Sequence, residues 1–380
     1  MPDHALLSAS GSHRWISCPP SALLESKFPN KTTVYAEEGT LAHSVAEACA
    51  KKALGEKVSM RPFSANKLYN AEMLEHGKEY ADLIKTKLTE HRKTCEDAFA
   101  DFEVRLDFSK WVPDGFGTGD CIIVADDTLE IVDYKYGKGV KVSAVGNSQM
   151  KLYALGALAA YGMIFDIATI KMTIFQPRLL SEPDSDVIST EELMAWAEQV
   201  LVPAAKLAAE GKGDFNPSEE ACRFCKAKEQ CRARAQKYLD LFDAVEDPQL
   251  LSPDEAGSIL AQAKDMKNWL SDLENLVSST LFSGEQVQGW KLVEGKSNRK
   301  IADEDAAAEA FVRAGIDSAL LFEKKLITLT QMERDFGKKK VAEILGDLIT
   351  KPQGKPTLAP ESDKRPPIDL EENILKQFDE

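Results

Sequence analysis

From residue 102 to 108 apolar and polar side chains alternate, the period of a half-buried strand. Two short apolar runs follow, 121–125 and 129–132, and the turn-prone pair Asp126-Asp127 between them predicts a β-hairpin. Residues 146–160 then have the spacing of a helix, and 168–175 form another β-rich run. Strand, hairpin, helix, strand, in that order, predicts an α/β core with one crossover connection.

Helical patterns surround this core. Ser8 or Ser10 could cap a short helix through Arg14 and Trp15 that ends at Cys18-Pro19-Pro20. A second helix is expected after Glu38-Gly39-Thr40, running through His43 and Cys49 to Leu54, and a third over 66–95 with apolar residues near a 3.6 period. After Asp186 the chain is expected to turn helical again, into a cluster of cysteines. Residues 253–283 predict a long amphipathic helix, 289–300 a short basic hairpin, and 303–349 two or three small helices. The stretch 351–367 is loaded with Pro, Lys and Ser and reads as a linker or mobile tail. No internal repeat is visible.

With 43% hydrophobic and 29% charged residues over 380 positions, the composition is that of a soluble globular protein with room for two domains. No apolar run reaches 18 residues and no basic-then-apolar segment opens the chain, which predicts a cytoplasmic protein with no membrane partner. A formal net charge of −15 argues against indiscriminate coating of nucleic acid, but Lys135, Lys138 and Lys141 make one locally basic lip. Seven cysteines, an odd number, make a disulfide framework improbable.

The candidate chemistry sits beside that lip. Strand side chains alternate faces, so Asp133 and Lys135 share one face, and the neighbouring strand of the hairpin delivers Asp120. Two carboxylates suit a hard divalent cation, and an amine beside them suits a phosphoryl group. His43 could add a nitrogen ligand, which favours Mn²⁺ over a pure oxygen site. Taken singly, Asp-x-Lys, Gly-x-x-Asp, a helix histidine and the i, i+4 pair Gln149 and Tyr153 are all commonplace. Their order along one chain is not.

In that order, His43, then Gly117-x-x-Asp120, then Asp133-Tyr134-Lys135, then Gln149-x3-Tyr153, the chain resembles the RecB-type branch of the PD-(D/E)XK nuclease superfamily. The resemblance implies a restriction-endonuclease-like α/β fold, a mixed central sheet flanked by helices, with a mainly helical C-terminal region. It implies a Mg²⁺- or Mn²⁺-dependent DNA exonuclease, with His43, Asp120, Asp133 and the Tyr134 carbonyl as metal ligands and Lys135 as the catalytic lysine. Gln149 and Tyr153 would contact DNA or brace the site, and Glu103 on the preceding strand is an accessory acid. Asp133 stands where many members have Glu, a change that keeps the chemistry. The whole chain is similar to phage and prophage nucleases, which implies DNA recombination, replication or processing, with a homo-oligomer or a phage recombination protein as further partners. The alternative is an inactive nucleic-acid-binding or scaffolding protein of the same fold.

Cys222-x2-Cys225-x5-Cys231 supplies three thiolates, and Cys18 is the obvious fourth. Four thiolates accept zinc or a [4Fe–4S] cluster, and bare spacing does not separate them. One cysteine before the nuclease motifs and three after resembles the iron–sulfur clasp of AddB-type and CRISPR-associated RecB-family exonucleases, which implies the [4Fe–4S] cluster. Such a clasp closes a loop of roughly two hundred residues, a structural role. Cys49, Cys95 and Cys121 lie in apolar-patterned segments and read as core residues. The expected division is a nuclease domain with its clasp over 1–240, a helical accessory domain over 241–350 and a flexible tail over 351–380.

Overall fold

The structure, a computed structural model, describes residues 5–29, 33–243, 253–293, 304–314 and 326–349. The tail expected at 351–380 and residues 294–300 of the expected basic hairpin lie outside the described residues; residues 289–293 form no strand. The chain divides into two compact units, Met1–Gln288 and Gly289–Glu380.

The first unit is built on one five-stranded sheet in the order β1 (Phe99–Asp107), β2 (Phe116–Ala125), β3 (Thr128–Tyr134), β4 (Thr169–Phe175), β5 (Asp184–Ser189). All neighbours are antiparallel except β3 and β4, which run parallel. A parallel pair needs a crossover, supplied by the helix Ser148–Tyr161, α6 below. This is the mixed sheet that the sequence implied. Before it come α1 (Ser12–Ser17), α2 (Ser21–Glu25), α3 (Val34–Ala53), α4 (Arg61–Ser64) and α5 (Ala71–His91). After it come α7 (Thr190–Trp196), α8 (Val202–Glu210), α9 (Glu219–Arg223), α10 (Arg232–Asp243) and α11 (Pro253–Phe282). The second unit shows α12 (Glu304–Arg313), α13 (Leu329–Phe336) and α14 (Lys338–Leu345), the small helices expected there. Among the described residues no helix is long and apolar enough to cross a membrane.

Both faces of the sheet are covered, which explains why β2 reads as a continuous apolar run rather than an alternation. Ile122, Val124, Leu129 and Ile131 pack with α6 and α8 in one core; Cys121, Ile123, Val132 and Tyr134 pack with α3 and α5 in the other. Cys49 and Cys121 are buried core residues, as expected, and Cys95 is half-buried.

Three elements differ from expectation. Neither Ser8 nor Ser10 caps α1, which opens at Ser12 behind Gly11 with no side-chain cap. Helix α3 starts at Val34, where the Thr33 side chain accepts the Ala36 N–H, so Gly39 lies inside the helix rather than at its start. The chain also makes a strand, β5, before it turns helical. This edge strand is mostly polar, and its pairing comes from β4 rather than from its own pattern. The capping box of Ser189 and Glu192 then opens α7.

The registers align three acids. Cys121 pairs with Val132, so one step along Asp120 lies abreast of Asp133; Phe102 pairs with Cys121 and Val104 with Gly119, which leaves Glu103 abreast of Asp120. Helix α6 reaches this row because Gly156 lets it lie against β1: a Cβ there would meet the Leu106 Cβ at 2.7 Å. Gly117 does the same one turn earlier, since its Cβ would meet the Tyr153 ring at 2.8 Å. The Asn147 side chain caps the helix by accepting the Met150 N–H.

Candidate active site

Asp120 is the hub. Its Oδ1 lies 3.0 Å from His43 Nδ1, and its Oδ2 accepts the Tyr134 N–H at 2.7 Å. Burial alone would raise the Asp120 pKa, but His43, the Tyr134 N–H and Lys135 outweigh it and hold the carboxyl below its ordinary value. His43 answers in kind: burial disfavours its charge, and the Asp120 carboxylate more than offsets that, so its pKa is raised.

Asp133, 2% exposed, lies beside Asp120. Its Oδ2 is 3.0 Å from Lys135 Nζ in an ion pair without hydrogen-bond geometry, and this buried oxygen has no hydrogen-bond partner. Burial raises the Asp133 pKa and the neighbouring Asp120 charge adds to it, against the pull of Lys135. Lys135 itself, disfavoured by burial but held by both acids, keeps its proton more tightly than an ordinary lysine. Two abutting carboxylates, one with an orphaned acceptor, are an arrangement that a cation relieves.

The amine is fixed from a second side. Lys135 Nζ donates to Gln149 Oε1 at 3.2 Å, and Gln149 Nε2 donates to the Tyr153 hydroxyl at 3.0 Å. Gln149 and Tyr153 therefore meet Lys135 as well as each other. Glu103, exposed, brings a carboxylate oxygen to His43 and Asp120, the ligand atoms of all three lying within 4.8 Å of one another. Its backbone is left-handed, φ 50°, in mid-strand, a conformation that costs a non-glycine residue about 1 kcal/mol or more. Burial, Asp120 and Glu47 raise its pKa.

Every residue of the expected nuclease site thus comes to one place: His43, Glu103, Asp120, Asp133, Lys135, Gln149 and Tyr153. Tyr134 enters through its N–H on Asp120, while its ring stacks on Phe175, packs tilted against Tyr80 and meets the His43 ring edge-on at 5.5 Å. The four cysteines gather elsewhere. Cys18, Cys222, Cys225 and Cys231 line one cavity with Arg14 and Ser21, and Cys18 Sγ accepts the Asn216 N–H at 3.4 Å. Among the described residues the one trio of His, Cys, Asp or Glu ligand atoms within 4.8 Å of each other is His43, Glu103 and Asp120. Two side chains that organise the site had no sequence signal: Gln176, which closes an apolar run, and Arg178, which pairs with Glu72 and Glu38.

Residues 4–366 match the family described as a protein of unknown function, DUF2800, and the chain belongs to that family. Among solved structures it is similar to a candidate exonuclease from Eubacterium rectale, with 13% identity over 65% of this chain and 90% of that one at a TM-score of 0.31. It is also similar to the alkaline exonuclease LHK-Exo from Laribacter hongkongensis, with 13% identity, 53% and 92% coverage and a TM-score of 0.24. For LHK-Exo in complex with dAMP the identity is 14%, the coverage 46% and 94% and the TM-score 0.22. At such scores any function rests on the chain's own side chains.

Proposed function

We propose that this member of the DUF2800 family is a divalent-metal-dependent deoxyribonuclease. The observation that carries the reading is the meeting of His43, Glu103, Asp120 and Asp133 with the Lys135 ammonium, from four separate stretches of chain. His43, Glu103, Asp120 and Asp133 would hold Mg²⁺ or Mn²⁺; the donor set of three carboxylates and one imidazole suits either. Bound there, the cation would neutralise phosphoryl oxygens and make a water more acidic. Lys135, charged and held by Gln149, supplies a fixed positive group that stabilises charge gathering on phosphorus-bound oxygen. Tyr153 braces Gln149, so the amine is set before substrate arrives. The exposed Lys138 and Lys141 give the site a basic edge for a phosphate backbone.

Exonuclease action, and a role in phage DNA recombination, replication or processing, are proposed with it on the resemblance of the ordered motifs. So is a [4Fe–4S] clasp on Cys18, Cys222, Cys225 and Cys231. The support for a cluster over zinc is the resemblance of the Cys18 and Cys222-x2-Cys225-x5-Cys231 arrangement to the AddB-type clasp.

Digestion of linear and circular DNA with Mg²⁺ or Mn²⁺, against Lys135→Ala, tests the activity. Loss of linear substrate by wild type alone is expected. Equal digestion by both proteins, or by neither, overturns the reading. Anaerobically purified protein should be brown with a broad band near ~400 nm; a colourless preparation with bound zinc removes the cluster.

A further inference from the structure

The loop that leaves Lys135 and returns as α6 is gripped by one buried side chain. Gln176, 2% exposed, follows directly on β4. Its Oε1 accepts the Val142 N–H at 3.1 Å, and its Nε2 donates to the carbonyls of Gly137 at 3.0 Å and Val140 at 2.8 Å. The partners fix the orientation of the amide, because only its oxygen can accept and only its NH₂ can serve two carbonyls. All three bonds go to backbone of the same loop.

The neighbours of Gln176 continue the grip. The Phe175 carbonyl accepts the Lys135 N–H at 2.8 Å, and the Arg178 guanidinium lies 4.3 Å over the Tyr136 ring. Residues 175–178 therefore touch the loop at 135, 136, 137, 140 and 142. The loop makes no strand or helix of its own and contains Gly137, Gly139 and Gly146, so its course is set by what holds it. At one end stands Lys135. At the other Asn147 caps α6, two residues before Gln149, the side chain that receives the Lys135 ammonium.

We propose that Gln176 is a positioning residue that sets the path of residues 135–142, the half of the loop next to Lys135, and through it the meeting of Lys135 with Gln149; Asp184 and Asp186 hold the other half at Ser143, Ala144 and Gly146. Its catalytic consequence rests on the nuclease reading; its structural consequence does not.

Two variants in the full chain separate these. Gln176→Ala removes all three bonds. Gln176→Glu keeps the volume and the acceptor for Val142 but turns an oxygen toward two carbonyls, so it should be no better than alanine at neutral pH. In both, amide exchange over residues 137–142 should quicken about 10-fold or more, while exchange in β2 and β3 stays as in wild type. Labelling of the Lys135 amine by an amine-reactive reagent, read by peptide mass spectrometry, should rise by a similar factor. In the digestion assay kcat should fall about 10-fold with KM within about 3-fold, the mark of a misplaced reacting group rather than lost substrate contact. Unchanged loop exchange or unchanged Lys135 labelling overturns the proposal. Faster exchange and labelling with kcat intact overturns the link from loop to chemistry. A wild-type protein that cuts no DNA ends the nuclease reading instead, and exchange and labelling still decide whether Gln176 sets the loop.

Discussion

Lys135 and Glu103 stand on opposite sides of Asp120 and carry opposite kinds of information. The half-buried lysine is held by an ion pair and a hydrogen bond, so its charge is poised and its geometry fixed. Lys135→Ala should lower kcat about 10²- to 10³-fold, the loss typical of one fixed electrostatic group, and Lys135→Arg should not restore it, because a planar guanidinium cannot take the place of a compact ammonium. Steady-state rates on a linear duplex check both. Glu103 is a non-glycine residue in left-handed backbone within a strand, abreast of the acid at the centre of the site. If that strain serves to aim its carboxylate, Glu103→Gly relieves backbone and removes a ligand together. The expected outcome is a melting temperature equal to or above wild type with weaker Mn²⁺ binding by calorimetry. A lower melting temperature with unchanged Mn²⁺ affinity would show that the carboxylate serves packing instead.

Between elements, the helix α5 is tied to β3 by a buried carboxylate. Glu130, 3% exposed, receives Lys87, His91 Nε2 at 2.8 Å and the Thr173 hydroxyl at 3.0 Å. Burial would raise its pKa, yet His91 and Lys87 outweigh this and hold it at about 2. The folded value lies below the unfolded one, so the network stabilises the fold above pH ~4.5 and loses that contribution as pH falls toward ~2. The span is worth roughly 3 kcal/mol. Glu130→Gln should therefore cost roughly that much at pH 7 and almost nothing near pH 2, in urea melts across the range. On the opposite face, Gly156→Ala would press α6 off Leu106 and cost about 1–3 kcal/mol. Because Gln149 and Tyr153 ride on that helix, kcat should fall with stability. The hairpin, the crossover helix and the acids of the site were legible because two strands buried on both faces write continuous apolar runs and because the polar residues interrupting them are few. Strand β5 was not legible, since a mostly polar edge takes its structure from its neighbour. Gln176 left no trace either: its role depends on which backbone groups a distant loop presents, and no spacing encodes that.

Across the whole chain, the first helices and the cysteine loop are joined by protein bonds as well as by any cluster. Glu25, buried, takes Arg14 Nε at 2.6 Å on one oxygen and the Lys226 N–H at 2.8 Å on the other. Helix α11 then closes over the same region. Asp272 accepts Arg234 and pairs with Lys228 at 2.8 Å, Asp265 pairs with Lys237 at 3.3 Å, and the Trp269 ring stacks 4.9 Å from Tyr238. A nuclease domain ending near residue 240, as the sequence implies, and a compact unit ending at Gln288 therefore lead to different outcomes on truncation. Cut after Gln288, the chain keeps α11, and its melting temperature and cysteine absorbance should match the full chain. Cut after residue 240, it exposes the fully buried Tyr238 and loses its stack, a loss of at least 2 or 3 kcal/mol at ~25 cal/mol per Å² of apolar area. The point variant Asp272→Ala in the full chain isolates the charge: it strands Arg234, 3% exposed, against Asp265 alone and should cost about 3 kcal/mol or more. If the shorter chain melts with the longer one and Asp272→Ala is silent, α11 is an appendage to the sheet core. If both lose stability while the His43, Asp120 and Lys135 site still binds Mn²⁺, the helix belongs to the clasp and the clasp stands apart from the chemistry.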